Sequence, residues 1–133
     1  MLSSLSTLPA FLAYFGTGLL LLALFVTCYV QFTPLREIRL IRAGNVSAAV
    51  SLCGAVLGFV LPLASAIAHS VSLLDLAVWG GIAFVLQWGT FALLHLLLRD
   101  LPAQIEADHL AMALLVALIS LAVGLIAAAA MSY

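Results

Sequence analysis

The feature that most constrains this chain is where its charges do not fall. The sequence holds four basic and five acidic residues. The first of them is Arg36, so residues 1–35 carry none. Further charge-free runs lie between Arg42 and Asp75, between Asp75 and Arg99, and beyond Asp108. A helix rises about 1.5 Å per residue and needs about 20 apolar residues to cross hydrocarbon. Four spans are therefore expected, at about 10–32, 46–69, 75–98 and 109–131. Composition removes the alternatives. With 67% hydrophobic and 7% charged residues in 133 positions, a soluble domain has too little interior to hide its apolar surface. Disordered chains are polar, which this one is not. The reading is an all-α integral membrane protein, a single membrane domain over residues 1–133.

The first span differs from a secretory signal because no Lys or Arg precedes it and it is long enough to cross, so it is read as retained. Arg36, Arg39 and Arg42 lie between spans one and two, and Arg99 lies between spans three and four. Those two connections share one side of the membrane, which the positive-inside rule assigns to the cytoplasm. Both termini and the link around 70–74 then face outward, to the periplasm.

A shift of 64 positions sets the chain against itself. Ile41-Arg42-Ala43 meets Ile105-Glu106-Ala107, Ala49 meets Ala113, Leu57 meets Leu121 and Gly16 meets Gly80. Each half reads as span, polar elbow with a proline, span. The expected architecture is four transmembrane helices as two tandem parallel helical hairpins, over about 10–69 and 75–131, related by an axis along the membrane normal.

The segments Gly44-Asn45-Val46-Ser47-Ala48-Ala49, Leu61-Pro62-Leu63-Ala64-Ser65 continuing to Asp75, and Asp100-Leu101-Pro102 with Ile105-Glu106 resemble the bacterial YjfL-type inner-membrane proteins (domain-of-unknown-function family 350). The resemblance covers essentially the whole chain, and the run from Leu61 to Asp75 is its most specific part. It implies four spans, a duplicated two-helix unit and a bacterial inner membrane. It brings no catalytic or binding residue with it. One departure is Asp108-His109, where the family often has Gly-Asp.

In the first elbow, Thr33 suits an N-cap, Pro34 the first helical position and Gly44 a C-terminal stop. Leu35, Ile38 and Ile41 recur every three residues, as do Arg36, Arg39 and Arg42. A short helix would lay the apolar row into the interface and raise the guanidinium row towards lipid phosphates or a cytoplasmic protein partner at residues 33–45. The second elbow, with Arg99, Asp100, Glu106 and Asp108, has the opposite sign. The two can pair, either within one molecule or between molecules.

Gln87 stands midway between Asp75 and Arg99, so it falls near mid-membrane and calls for an interhelical hydrogen bond or a place in a water-filled path. Pro62 should kink span two and leave the Gly58 carbonyl without its usual donor. That carbonyl needs Ser65, a neighbouring helix or water. Gly54 and Gly58 form a small-residue pair on span two, and Ser120, Gly124 and Ala128 form a similar stripe on span four. Ser72-Leu73-Leu74-Asp75 has capping spacing, with Asp75 and His69 as an outer ion or proton site the rival reading. His95, His109, Glu106 and Asp108 lack the spacing of a metal signature. Cys28 and Cys53 are read as packed free thiols.

No catalytic, metal or cofactor-binding residue is assigned, and nucleic acid is not an expected partner. The expected function is a non-enzymatic oligomeric scaffold or interaction module, a dimer or larger, in contact with the lipid bilayer. The rival is a small ion or solute channel formed by an oligomer, with Gln87, the carbonyl freed by Pro62, and Asp75 lining its path.

Overall fold

The computed structural model describes residues 6–32 and 37–131. Thr33, Pro34 and Arg36 lie outside the described residues. The described chain is all helix in its regular elements: α1 Leu8–Phe32, α2 Glu37–Arg42, α3 Val46–His69, α4 Leu73–Leu97, α5 Leu101–Glu106 and α6 Leu110–Ala130. Four of these, α1, α3, α4 and α6, are long and apolar enough to cross a membrane. Each begins and ends within about two residues of the span expected for it, because charge and capping residues mark the ends of apolar runs.

The two short helices stop in the same way. In α2 the N–H of Gly44 donates to Ile41 O and that of Asn45 to Leu40 O, the paired bonds of a Schellman motif. Gly44 supplies the left-handed turn, with φ 91°. In α5 the N–H of Asp108 donates to Ile105 O and that of His109 to Gln104 O. Here the left-handed residue is Asp108, with φ 60°, a conformation that aspartate tolerates better than most side chains. Both motifs turn the chain back into a long helix.

The bundle is built around α3 and α6, which make the most extensive contact in the molecule. They run parallel, because each enters from an elbow. Gly54 lies against Ala117, and Gly58 against Ser120 and Gly124. A Cβ on Gly124 would overlap the carbonyl of Gly58, so close backbone approach requires glycine there. Further along, the Ser65 hydroxyl donates to Ala128 O at 3.0 Å. The two helices of each half also touch one another, α1 with α3 and α4 with α6, but less extensively than α3 touches α6.

Helix α4 packs on both central helices, and α1 lies across α3 and α4. Phe25 and Tyr29 of α1 are buried there. Phe25 stacks on Phe59 at 4.5 Å and meets Phe84 edge-on at 5.5 Å, while Tyr29 meets Phe91 edge-on at 5.0 Å. Rings so arranged add to the dispersion that holds helices together where lipid removes the hydrophobic drive. A second cluster, at the elbow end, joins Ala48, Leu94, Leu101, Ile105 and Val116, with Leu40 and Ile41 packed against it. The outer faces are apolar: Leu20, Val85, Leu96 and Ile126 are all more than half exposed. In water such a surface is untenable, whereas in hydrocarbon it is at home.

Candidate functional site

Among the described residues, one polar centre lies at the middle of the apolar bundle and another at the elbow end. The middle centre starts from Pro62. Its ring nitrogen carries no hydrogen, so the carbonyl four residues earlier, Gly58 O, has no helical donor. Gln87 of α4, 4% exposed, fills that place: its Nε2 donates to Gly58 O at 2.8 Å and to Ser120 O at 3.2 Å. One amide thus ties α4 to both central helices. The neighbouring helix meets the freed carbonyl, while the Ser65 hydroxyl donates to Ala128 O. Gly58 and Gly54 lie on the α3–α6 contact, with Ser120 and Gly124 opposite.

The elbow centre joins residues about sixty positions apart. Asn45 caps α3 through its own side chain, accepting from the Ala48 N–H at 2.8 Å. Its Nδ2 also donates across the bundle to Ile105 O at 2.9 Å and to Glu106 O at 3.3 Å, the last carbonyls of α5. In return, Asp108 Oδ1 accepts from the Ser47 N–H at 2.9 Å, placing a carboxylate at the positive end of α3. That bond from the Ser47 N–H is the main reason the Asp108 carboxyl sits below its ordinary 3.8. A charge-assisted bond favours the ionised form. Asp108 therefore serves another helix, and His109, the residue preceding α6, makes no side-chain cap to its own. The His109 ring instead bonds Gln104 Oε1, and Gln104 Nε2 donates to Asp100 Oδ2 at 3.0 Å.

The remaining residues singled out in the sequence fall elsewhere. Asp75 lies at the opposite end, where its Oδ2 accepts from the Val71 N–H at 3.2 Å and its own N–H donates to the Ser72 hydroxyl at 3.1 Å. His69 Nδ1 is bonded to Ser65 O at 2.9 Å, so the two side chains have separate helix-end partners. Arg39 and Arg42 are exposed, as are Arg99, Asp100 and Glu106. No ion pair joins these groups among the described residues, and the tie between elbows runs through Asn45 and Asp108 instead. Arg36 lies outside the described residues. Cys28 and Cys53 are free thiols, but only Cys28 is even half-buried. Cys53 is exposed because its neighbour Gly54, one step around the helix, faces α6.

Among the described residues no group of three or more His, Cys, Asp or Glu could hold a metal. Among the described residues, apolar grooves open on the sides of the bundle. One, about 410 Å³, is lined by Cys28, Phe84, Val85 and Trp88. Another, about 300 Å³, runs along α3 and α6 past Cys53, Leu57 and Leu118. A third, about 170 Å³, lies between α1 and α3. All are walled by apolar side chains or glycine. The elbow lock itself was missed from sequence. The Gly44-Asn45 pair signals a helix stop followed by a cap, but nothing local announces that Asn45 and Asp108 reach across to the other half.

A family model described as Domain of Unknown Function (DUF350) matches residues 3–131. The chain is 36% identical over 129 residues to the UPF0719 inner membrane protein YjfL of Escherichia coli strain K12, an alignment covering 97% of this chain and 98% of that relative. The same figures hold for the protein of that name from Escherichia coli O157:H7. No solved structure matches. With one family model spanning nearly all of its length and relatives aligned over nearly the whole of theirs, the chain belongs to the DUF350 family.

Proposed function

We propose that this chain is a non-enzymatic, multi-pass protein of the bacterial inner membrane that works as an oligomeric scaffold or interaction module. The observation that carries the reading is the Gln87 clasp. The Gln87 amide, buried at mid-bundle, donates both its described bonds to backbone carbonyls of α3 and α6. A conducting path needs polar groups turned towards water, and here Gln87 and the Gly58 carbonyl are turned towards each other. The apolar grooves support the same reading. Catalysis needs a nucleophile or metal with a base and an orienting partner in reach, whereas the described bonds of His109 and Asp108 go to Gln104 and to the Ser47 N–H at the helix ends.

The inner-membrane assignment leans on the relatives' name. The orientation leans on the arginines: the elbows lie in the cytoplasm and both ends of the chain outside. Two tandem copies of one hairpin are favoured by the elbows. Glu37–Arg42 and Leu101–Glu106 stand 64 positions apart, and so do the left-handed residues Gly44 and Asp108.

Purified protein in sealed liposomes tests the central point. Under proton, potassium and chloride gradients it is expected to leave leak rates at those of empty vesicles. Flux that scales with protein and changes in Gln87→Leu would establish the channel reading in its place.

A further inference from the structure

Each elbow helix has an inward apolar row and an outward charged row. On α2, Leu40 and Ile41 pack into the elbow-end cluster, while Arg39 and Arg42 are exposed. On α5, Leu101 and Ile105 are each 1% exposed, while Glu106, and Asp100 just ahead of the helix, are exposed. The outward rows have opposite sign, and Arg99 is the one described base beside the acidic row. They stand at the same end of the molecule, yet no ion pair closes between them among the described residues. The carboxylate that could have neutralised the basic elbow, Asp108, is held on the Ser47 N–H.

We propose that these rows form a self-association surface, with Arg39 and Arg42 of one copy facing Asp100 and Glu106 of a second copy. A twofold axis along the membrane normal makes each contact twice and closes the pair. This rests on the interaction-module reading above and names its partner. A second copy is the occupant because it answers both rows at once. Anionic lipid headgroups would answer the arginines and repel the carboxylates. Complementary charge of this kind sets partner choice and register more than raw affinity. The bilayer meanwhile holds both copies at one height.

The test uses full-length protein carrying donor or acceptor dyes in zwitterionic liposomes. Wild type is expected to show energy transfer that falls as salt is raised from about 0.05 to about 0.5 M, because the pairs are exposed and screened. The double variant Arg39→Glu/Arg42→Glu should weaken association at least about tenfold, as should Asp100→Arg/Glu106→Arg. Mixing the two should restore it. Because charge reversal at an elbow can disturb insertion, Arg39→Gln/Arg42→Gln serves as a milder variant and should show the same loss to a smaller degree. Association that ignores both salt and charge, or no rescue on mixing, overturns the proposal. So does association that requires anionic lipid, which would make the arginines a headgroup site. Ion flux measured in the same vesicles keeps the two readings apart: flux defeats the scaffold reading whatever the dyes report, and uncoupled dyes without flux defeat only this surface.

Discussion

The clasp at Gln87 depends on a proline in the preceding helix, and the dependence can be measured. Gln87→Leu removes the donor and strands the buried Gly58 carbonyl, at a cost of about 1–2 kcal/mol. Pro62→Ala restores a backbone N–H that can reach Gly58 O, so in the Gln87→Leu background it should recover part of the loss. Unfolding in mixed detergent micelles would give the double-mutant cycle, and additive effects would show that the two residues are not coupled. A second contrast concerns glycines. A Cβ on Gly124 would overlap the Gly58 carbonyl, whereas one on Gly81 meets nothing within 4 Å. Gly124→Ala should destabilise by about 1–3 kcal/mol, and Gly81→Ala should be neutral or slightly stabilising. At this scale the sequence was half legible. Pro62, Gln87, Gly54 and Gly58 each stand out by type and depth, but which carbonyl Gln87 meets depends on how α4 lies over the α3–α6 pair. No local spacing encodes that.

At the scale of the helix, the ends of the long elements follow from charge-free length and capping residues, and so they are legible in the sequence. The elbow lock is not. Asn45 and Asp108 act on helices some sixty residues away, and long-range hydrogen bonds leave no periodic trace. The Asp108 cap has a definite dependence on acidity. Its carboxyl sits below 3.8 in the fold, so the contribution to stability is complete above that value. It fades as pH falls through the lower folded value. Asp108→Asn should therefore melt below wild type at pH 6, and the gap should be smaller at about pH 3. Thermal unfolding of both proteins in the same detergent at the two pH values would show it. A gap that is no smaller in acid would mean that shape, not charge, is what Asp108 supplies.

For the molecule as a whole, the proposed sidedness, with the arginine-bearing elbows in the cytoplasm, is one that fusion reporters can read. Alkaline phosphatase joined after residue 131, or inserted near residue 71, should be active, and the same enzyme inserted after Gly44 should not. The reverse pattern would invert the orientation and move the charged surface outside. Composition made lipid legible as the solvent at once, since 67% hydrophobic residues leave little choice. Which helices stand at the centre was less visible, because α1, α3, α4 and α6 are all apolar and only the small residues of α3 and α6 mark the axis. The exchanged caps have a consequence for biogenesis. The first turn of α3 owes a bond to residue 108, a position the ribosome reaches some sixty codons after Ser47. Until then that end of the leading half lacks the Asp108 carboxylate. Separately expressed halves should be poor at standing alone but able to complement each other when made together.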